Sequence, residues 1–324
     1  MEAAIDTSIA PLTQRRYASA WGKYSAWCKD LGEEPLPVTE DKALAYVALL
    51  AKQGMKKGTV KYHLAGLRMA QIKAGMRAPD WSAMDRLTQL KKGLARLEAV
   101  GGNRSHARDP VRVIHMRAML DVWTSKGQRG TMLWAAACMC FFGCLRAGEA
   151  LAPESGVFDR GAHLSWEDVQ LDSERSPRWF RVRIKESKTD RLREGAWVTL
   201  HRTDTALCPV KAVLRFMVDR GSGLGPFFKD GNGSGLTRRD FVAEVRRALV
   251  EKGLPEANIS GHSFRIGAAM AASAGGASED DVKALGRWRS REYRGYIRDE
   301  GGKQASSAKK WTKRFESAEG SRTK

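Results

Sequence analysis

Apolar positions recur at helical spacing through most of the chain, and polar breaks between them divide it into elements. From Thr13 to Lys29, Tyr17, Ala20, Tyr24 and Trp27 fall on one side of a helix that should stop near Gly32, before Pro35. A second helix is expected after the cap residue Thr39, with Leu44, Val47 and Leu50 inward, ending near Gly54. The third, Thr59 to Lys73, aligns Val60, Leu64, Leu67 and Gln71, and a fourth spans Trp81 to Glu98. Gly101-Gly102-Asn103-Arg104-Ser105 then breaks all periodicity and reads as a linker. Beyond it, Val113–Trp123 and Met132–Leu145 are helical in pattern. Trp179–Ile184 and Ala196–Leu200 instead carry strand formers around a polar turn, which predicts a hairpin. Val210–Arg220, Arg238–Glu251, Phe264–Ala274 and Glu279–Leu285 return to helical spacing. The pattern predicts a mainly α chain with a small β-sheet or hairpin, and two domains: residues 1–103, helical and including the linker, and residues 104–324.

Charge narrows the function. Lys and Arg number 56 against 37 Asp and Glu, a net charge of +19 with a pI near 10.0, which points to a polyanionic partner. Residues 1–103 hold 16 basic and 10 acidic side chains, leaving 40 and 27 for the remainder, so a single basic tail does not explain the excess. The five cysteines form no CxxC pair, and Cys138, Cys140 and Cys144 crowd an apolar stretch with no His, Asp or Glu among them. Core packing in a reducing compartment is expected, with no metal site. No apolar run is long enough to span a bilayer, and the first residues carry no secretory h-region. The expectation is an intracellular protein, nuclear if eukaryotic and otherwise in the cytoplasm or nucleoid.

Several residues carry possible chemistry on phosphate. Lys57, Lys61 and Arg68 share one helix face, which suits either a DNA backbone or plain solvent. Arg146 follows the apolar helix in Gly143-Cys144-Leu145-Arg146-Ala147-Gly148-Glu149, from which a buried helix can project a guanidinium into a cleft. Lys188 sits at the hairpin tip in Ser187-Lys188-Thr189-Asp190, where it can protonate a leaving oxygen. Gly261-His262-Ser263-Phe264-Arg265-Ile266-Gly267 opens a helix with His262 and Arg265 on one face, an imidazole beside a guanidinium. Leu285-Gly286-Arg287-Trp288 ends another helix, and Tyr293 and Tyr296 follow among arginines. A phenol attacks phosphorus only where cations stabilise its anion.

Taken in order, Arg146, Lys188, His262-x-x-Arg265, Trp288 and Tyr296 resemble the catalytic set of the tyrosine recombinases, the family that includes the phage integrases. Gly-His-Ser-Phe-Arg-Ile-Gly, Gly-Arg-Trp-Arg-Ser and Tyr-Ile-Arg look most like recombinases of eukaryotic mobile elements of the Crypton and DIRS kinds. The resemblance covers about residues 10–100, similar to a helical SAM-like core-binding domain, and about 108–318, similar to an integrase-type catalytic domain. It implies a two-domain clamp on double-stranded DNA. Arg146 and Arg265 would grip the scissile phosphate, Lys188 would donate to the leaving oxygen and His262 would assist proton transfer. Trp288 would pack or hydrogen bond at the phosphate, Glu149 would orient its neighbours, and Tyr296 would form a 3′-phosphotyrosyl link without metal, ATP or other cofactor. Tyr293 is the reserve nucleophile. The resemblance also implies a homo-oligomer on DNA, a dimer on each site and a tetrameric synapse, with Ala308, Trp311 and Phe315 of Ser306–Phe315 docking on a neighbouring subunit. Two other readings remain open: a type IB topoisomerase, and a domesticated DNA-binding protein without activity.

Overall fold

The structure is a computed structural model, and it describes residues 8–100, 108–187, 194–288 and 293. The chain divides into two compact units, Met1–His106 and Ala107–Lys324.

Among the described residues the first unit holds four helices: α1 (Pro11–Asp30), α2 (Glu40–Lys52), α3 (Lys57–Lys73) and α4 (Asp85–Val100). Thr39 caps α2, its side chain accepting from the Lys42 backbone N–H, with Glu40 and Asp41 at the positive end of the helix dipole. On α2 the inward residues are Ala43, Tyr46, Val47 and Leu50, and Leu44 is only half buried. Tyr46 reaches the α3 residue His63, its hydroxyl 2.9 Å from Nδ1, in a core shared with Tyr24, Leu64, Leu67 and Leu87. α4 starts later than the apolar pattern suggests. Asp80 accepts from the Ser82 backbone N–H at 2.9 Å and from its hydroxyl, closing a turn that delays the helix to Asp85.

The second unit is built around α6 (Gly127–Phe142), in which every residue from Met132 to Phe141 is buried. A helix apolar on all sides belongs at the centre of a domain. α5 (Val113–Trp123), α8 (Pro209–Arg220) and α10 (Ser263–Ala274) pack on it, α9 (Arg238–Glu251) packs on α5, and α11 (Glu279–Leu285) packs on α10. α10 comes close to the segment leading into α5 at Val111, where a Cβ on Gly267 would stand 1.8 Å from the Val111 carbonyl oxygen. Only glycine fits there.

The hairpin is part of a three-stranded antiparallel sheet, β1 (Val169–Leu171), β2 (Trp179–Ile184) and β3 (Ala196–His201), in that order. β1 is too short for its alternation to register in the sequence. It follows a single 3-10 turn, Trp166–Asp168, whose Asp168 carboxylate accepts from the Ser165 backbone and hydroxyl. Phe180, Val182, Ile184, Val198 and Leu200 point into the main core, while Arg181, Arg183, Trp197 and Thr199 face outward. All five cysteines are buried. Among the described residues no helix is long and apolar enough to cross a membrane, and no three His, Cys, Asp or Glu side chains gather as a metal-binding group.

Candidate active site

The site begins where α6 ends. Gly143 terminates the helix, and Cys144 turns the chain through a left-handed φ of 48° with the Leu145 N–H returning to the Cys140 carbonyl. The helix therefore stops at Phe142, short of the Leu145 that its apolar pattern reaches. Leu145 goes back into the core and Arg146 is turned to the head of the one-turn helix α7 (Ala147–Ala150). One turn later Glu149 reaches back. Its Oε2 accepts the Arg146 backbone N–H at 3.0 Å and its Oε1 accepts Arg146 Nη1 at 2.9 Å. The Glu149 side chain is 5% exposed and that of Arg146 26%.

α10 supplies the next two residues. His262 caps the helix in a helical conformation and is half buried, while Arg265 is 1% exposed, a fully interior guanidinium. Arg265 Nη1 donates to the Cys144 carbonyl at 3.1 Å and Nη2 to the Gly286 carbonyl, tying α10 to both neighbouring segments. Its guanidinium carbon lies 4.5 Å from the ring centroid of Trp288. That indole crowds Gly286, where a Cβ would come within 1.7 Å of the ring. The Cys144 thiol donates back to the Arg265 carbonyl at 3.6 Å, and burial pushes this thiol up to about 11, leaving it neutral.

Electrostatics follow from this crowding of cations. Burial first, then the charges of Arg108, Arg265 and Arg146, pull His262 down to about 4, with Glu149 pulling weakly the other way. The imidazole is neutral at pH 7 and able to accept a proton. Arg265 is also pulled down, by burial and then by Arg146, although a guanidinium keeps its charge at any ordinary pH. Positive charge held in a half-buried site with more cations than carboxylates is an anion-binding arrangement.

Four of the residues expected from the sequence thus come together with Glu149: Arg146, His262, Arg265 and Trp288. Lys188 and Tyr296 lie outside the described residues, as does the segment Ser306–Phe315. The hairpin's other lysine, Lys185, is committed elsewhere, with Nζ 2.5 Å from the Asp168 carboxylate and donating to the Arg160 and His163 carbonyls. Tyr293 is buried, and its hydroxyl donates to Glu279 Oε2 at 2.6 Å. In the first unit Lys57, Lys61 and Arg68 are exposed on α3, with Arg68 held by the Pro79 carbonyl at 2.5 Å.

The sequence reading gave no role to Arg287. Its Nη2 donates to Glu149 Oε2 at 2.6 Å, so one carboxylate joins two arginines 141 positions apart in the chain (146 and 287). Its left-handed φ of 53° is a conformation that sequence reasoning assigns to glycine, so nothing marked it beyond its place beside Trp288.

No family model matches this sequence, and no curated protein does. Solved structures do match. XerH site-specific recombinase, in a post-cleavage complex with palindromic difH substrate, aligns with a TM-score of 0.63 at 13% identity over 90% of this chain and 77% of that one. The Tn1549 transposon integrase in complex with transposon right end DNA gives 0.57 at 12% identity over 91% and 98%. A lambda integrase dimer bound to a COC′ core site gives 0.55 at 15% identity over 90% and 90%. At such identities the likeness is one of fold, and the fold of this chain is that of the tyrosine recombinases.

Proposed function

We propose that this protein is a site-specific DNA recombinase that cuts and rejoins strands through a 3′-phosphotyrosyl intermediate, in the service of a mobile element. One observation carries the reading: Arg146, His262, Arg265 and Trp288, drawn from three separated segments, meet in one cation-rich cluster on a fold shared with DNA-bound recombinases.

In this reading Arg146 and Arg265 hold the non-bridging oxygens of the scissile phosphate. Arg265 is already fixed by two carbonyls and the Trp288 ring, so it loses little freedom when the phosphate arrives. Glu149 holds Arg146 in place. The Tyr296 oxygen attacks phosphorus, the bond from phosphorus to the 5′ oxygen breaks, and Lys188 gives that oxygen its proton. Neutral His262 takes the Tyr296 hydroxyl proton in the forward step and returns it when the tyrosyl ester is broken in the reverse. The phosphodiester energy is kept in the tyrosyl ester, so that a 5′ hydroxyl from another strand restores the bond with no external energy source. The buried hydrogen bond of Tyr293 to Glu279 favours Tyr296 as nucleophile. Residues 1–103 would form the core-binding domain, with Lys57, Lys61 and Arg68 on phosphates, and residues 104–324 the catalytic one. Four copies would assemble on two DNA sites, within the nucleus or nucleoid.

The test starts from DNA selected for binding to the full chain. A duplex carrying that site, nicked so that the 5′-hydroxyl fragment diffuses away, should trap the protein covalently, and two intact sites should yield recombinant product. Relaxation of supercoils without exchange would place the protein with type IB topoisomerases. Binding with no adduct would make it a DNA-binding protein alone.

A further inference from the structure

Arg287 has a guanidinium in an unusual position. Its Nη2 is bound to Glu149, its side chain is 20% exposed, and its Nη1 is buried with no hydrogen-bond partner. Leaving a buried charged donor unsatisfied is destabilising. The residue also holds φ at 53°, a left-handed conformation that strains an arginine and that glycine adopts freely. Two costs at one residue call for a compensating role.

Position suggests what that role is. Glu149 accepts from Arg146 through Oε1 and from Arg287 through Oε2, so the two guanidiniums lie within about 8 Å of each other, the span of a carboxylate and two hydrogen bonds. Arg265 is tied by the Gly286 carbonyl to the residue before Arg287. Arg146, Arg265 and Arg287 against the single carboxylate Glu149 leave two positive charges uncompensated among these side chains. A phosphodiester carries one negative charge, and the five-coordinate phosphorus of the transition state approaches two. The second positive charge is therefore matched to the transition state rather than to the ground state.

We propose that Arg287 is a further phosphate-binding residue, its Nη1 donating to a non-bridging oxygen of the scissile phosphate and its Nη2 remaining on Glu149. This rests on the strand-cleavage reading above. The contact completes the orphan donor and strengthens as charge builds on phosphorus.

The experiment uses the full chain and single-turnover adduct formation on the nicked duplex, with either a phosphate or a methylphosphonate at the scissile position. Methylphosphonate replaces one charged oxygen by a methyl group, so a side chain serving that oxygen becomes dispensable on one of the two diastereomers. Arg287→Gly suits the backbone φ and removes the whole side chain, including its bond to Glu149. It should slow adduct formation on phosphate by about tenfold or more, and by less than about threefold on one methylphosphonate diastereomer. Arg287→Lys keeps the charge without the fork and should fall between Arg287→Gly and the unaltered protein on phosphate; it also serves as the reading if Arg287→Gly melts early. Equal slowing on phosphate and on both diastereomers would show a purely structural tie and overturn the proposal. No adduct from the unaltered protein on the phosphate duplex would remove the cleavage reading itself, and the proposal with it.

Discussion

Glu149→Gln tests the charge balance of the site with a change of one atom. The carboxylate is 5% exposed and accepts from Arg146 Nη1, the Arg146 backbone and Arg287 Nη2. Glutamine keeps one acceptor and turns the other into an NH₂ group facing a guanidinium, so at least one charge-assisted bond is lost. Such a bond contributes about 1.5–3 kcal/mol, and breaking a largely buried ion pair costs about 3–5 kcal/mol. Both arginines retain some water contact, which places the expected loss near 3 kcal/mol. For a unit of this size each kcal/mol lowers the melting temperature by about 2–4 °C, so a fall of roughly 6–12 °C is expected. The same substitution removes the negative charge nearest the cations. Sulfate, compared with chloride at equal ionic strength, should therefore restore more stability to the variant than to the unaltered protein. Thermal unfolding in the two salts reads both effects. A variant melting within about 1 °C of the parent, with no extra response to sulfate, would show that Glu149 does not balance these arginines.

The imidazole of His262 should titrate near pH 4 by NMR in the free protein and at higher pH once DNA phosphate offsets Arg108, Arg265 and Arg146. Because the folded value lies below the usual 6.5, its contribution to stability is complete above pH 6.5 and is lost as pH falls toward 4, which urea unfolding across that range can follow. Arg146→Ala should cut adduct formation by about a hundredfold or more with a modest change in melting, whereas Arg265→Ala should show the same kinetic loss and a clear loss of stability, since it removes the ties to Cys144, Gly286 and Trp288. DNA affinity should fall steeply with salt, each phosphate contact adding about −0.9 to the log–log slope, and a nearly flat salt series would remove the electrostatic basis of binding.

Much of this fold was legible because apolar spacing survives wherever a helix lies against a core. Val60, Leu64, Leu67 and Gln71 on α3, and the run through α6, are buried as their periodicity requires. Elements set by single polar contacts were not legible: the Asp80 turn that delays α4, the left-handed Cys144 that cuts α6 short, and the three-residue strand β1, which exists only by pairing with β2. In the site, residue types and order located Arg146, His262 and Arg265, but not how deep each lies. Nothing in the sequence marks Arg265 as an interior guanidinium, 1% exposed and bracing two loops through the Cys144 and Gly286 carbonyls. Arg287 escaped notice because its partner, Glu149, lies far away in the chain and its backbone adopts a conformation that no local pattern announces.

The most direct measurement is identification of the DNA-linked peptide by mass spectrometry after trapping on the nicked duplex in EDTA. The account expects a nucleotide adduct on Tyr296, no adduct from Tyr296→Phe at unchanged DNA affinity, and an undiminished adduct from Tyr293→Phe, which gives up only the hydrogen bond to Glu279. Attachment at Tyr293, or a reaction that runs only with magnesium and leaves no adduct, would contradict it.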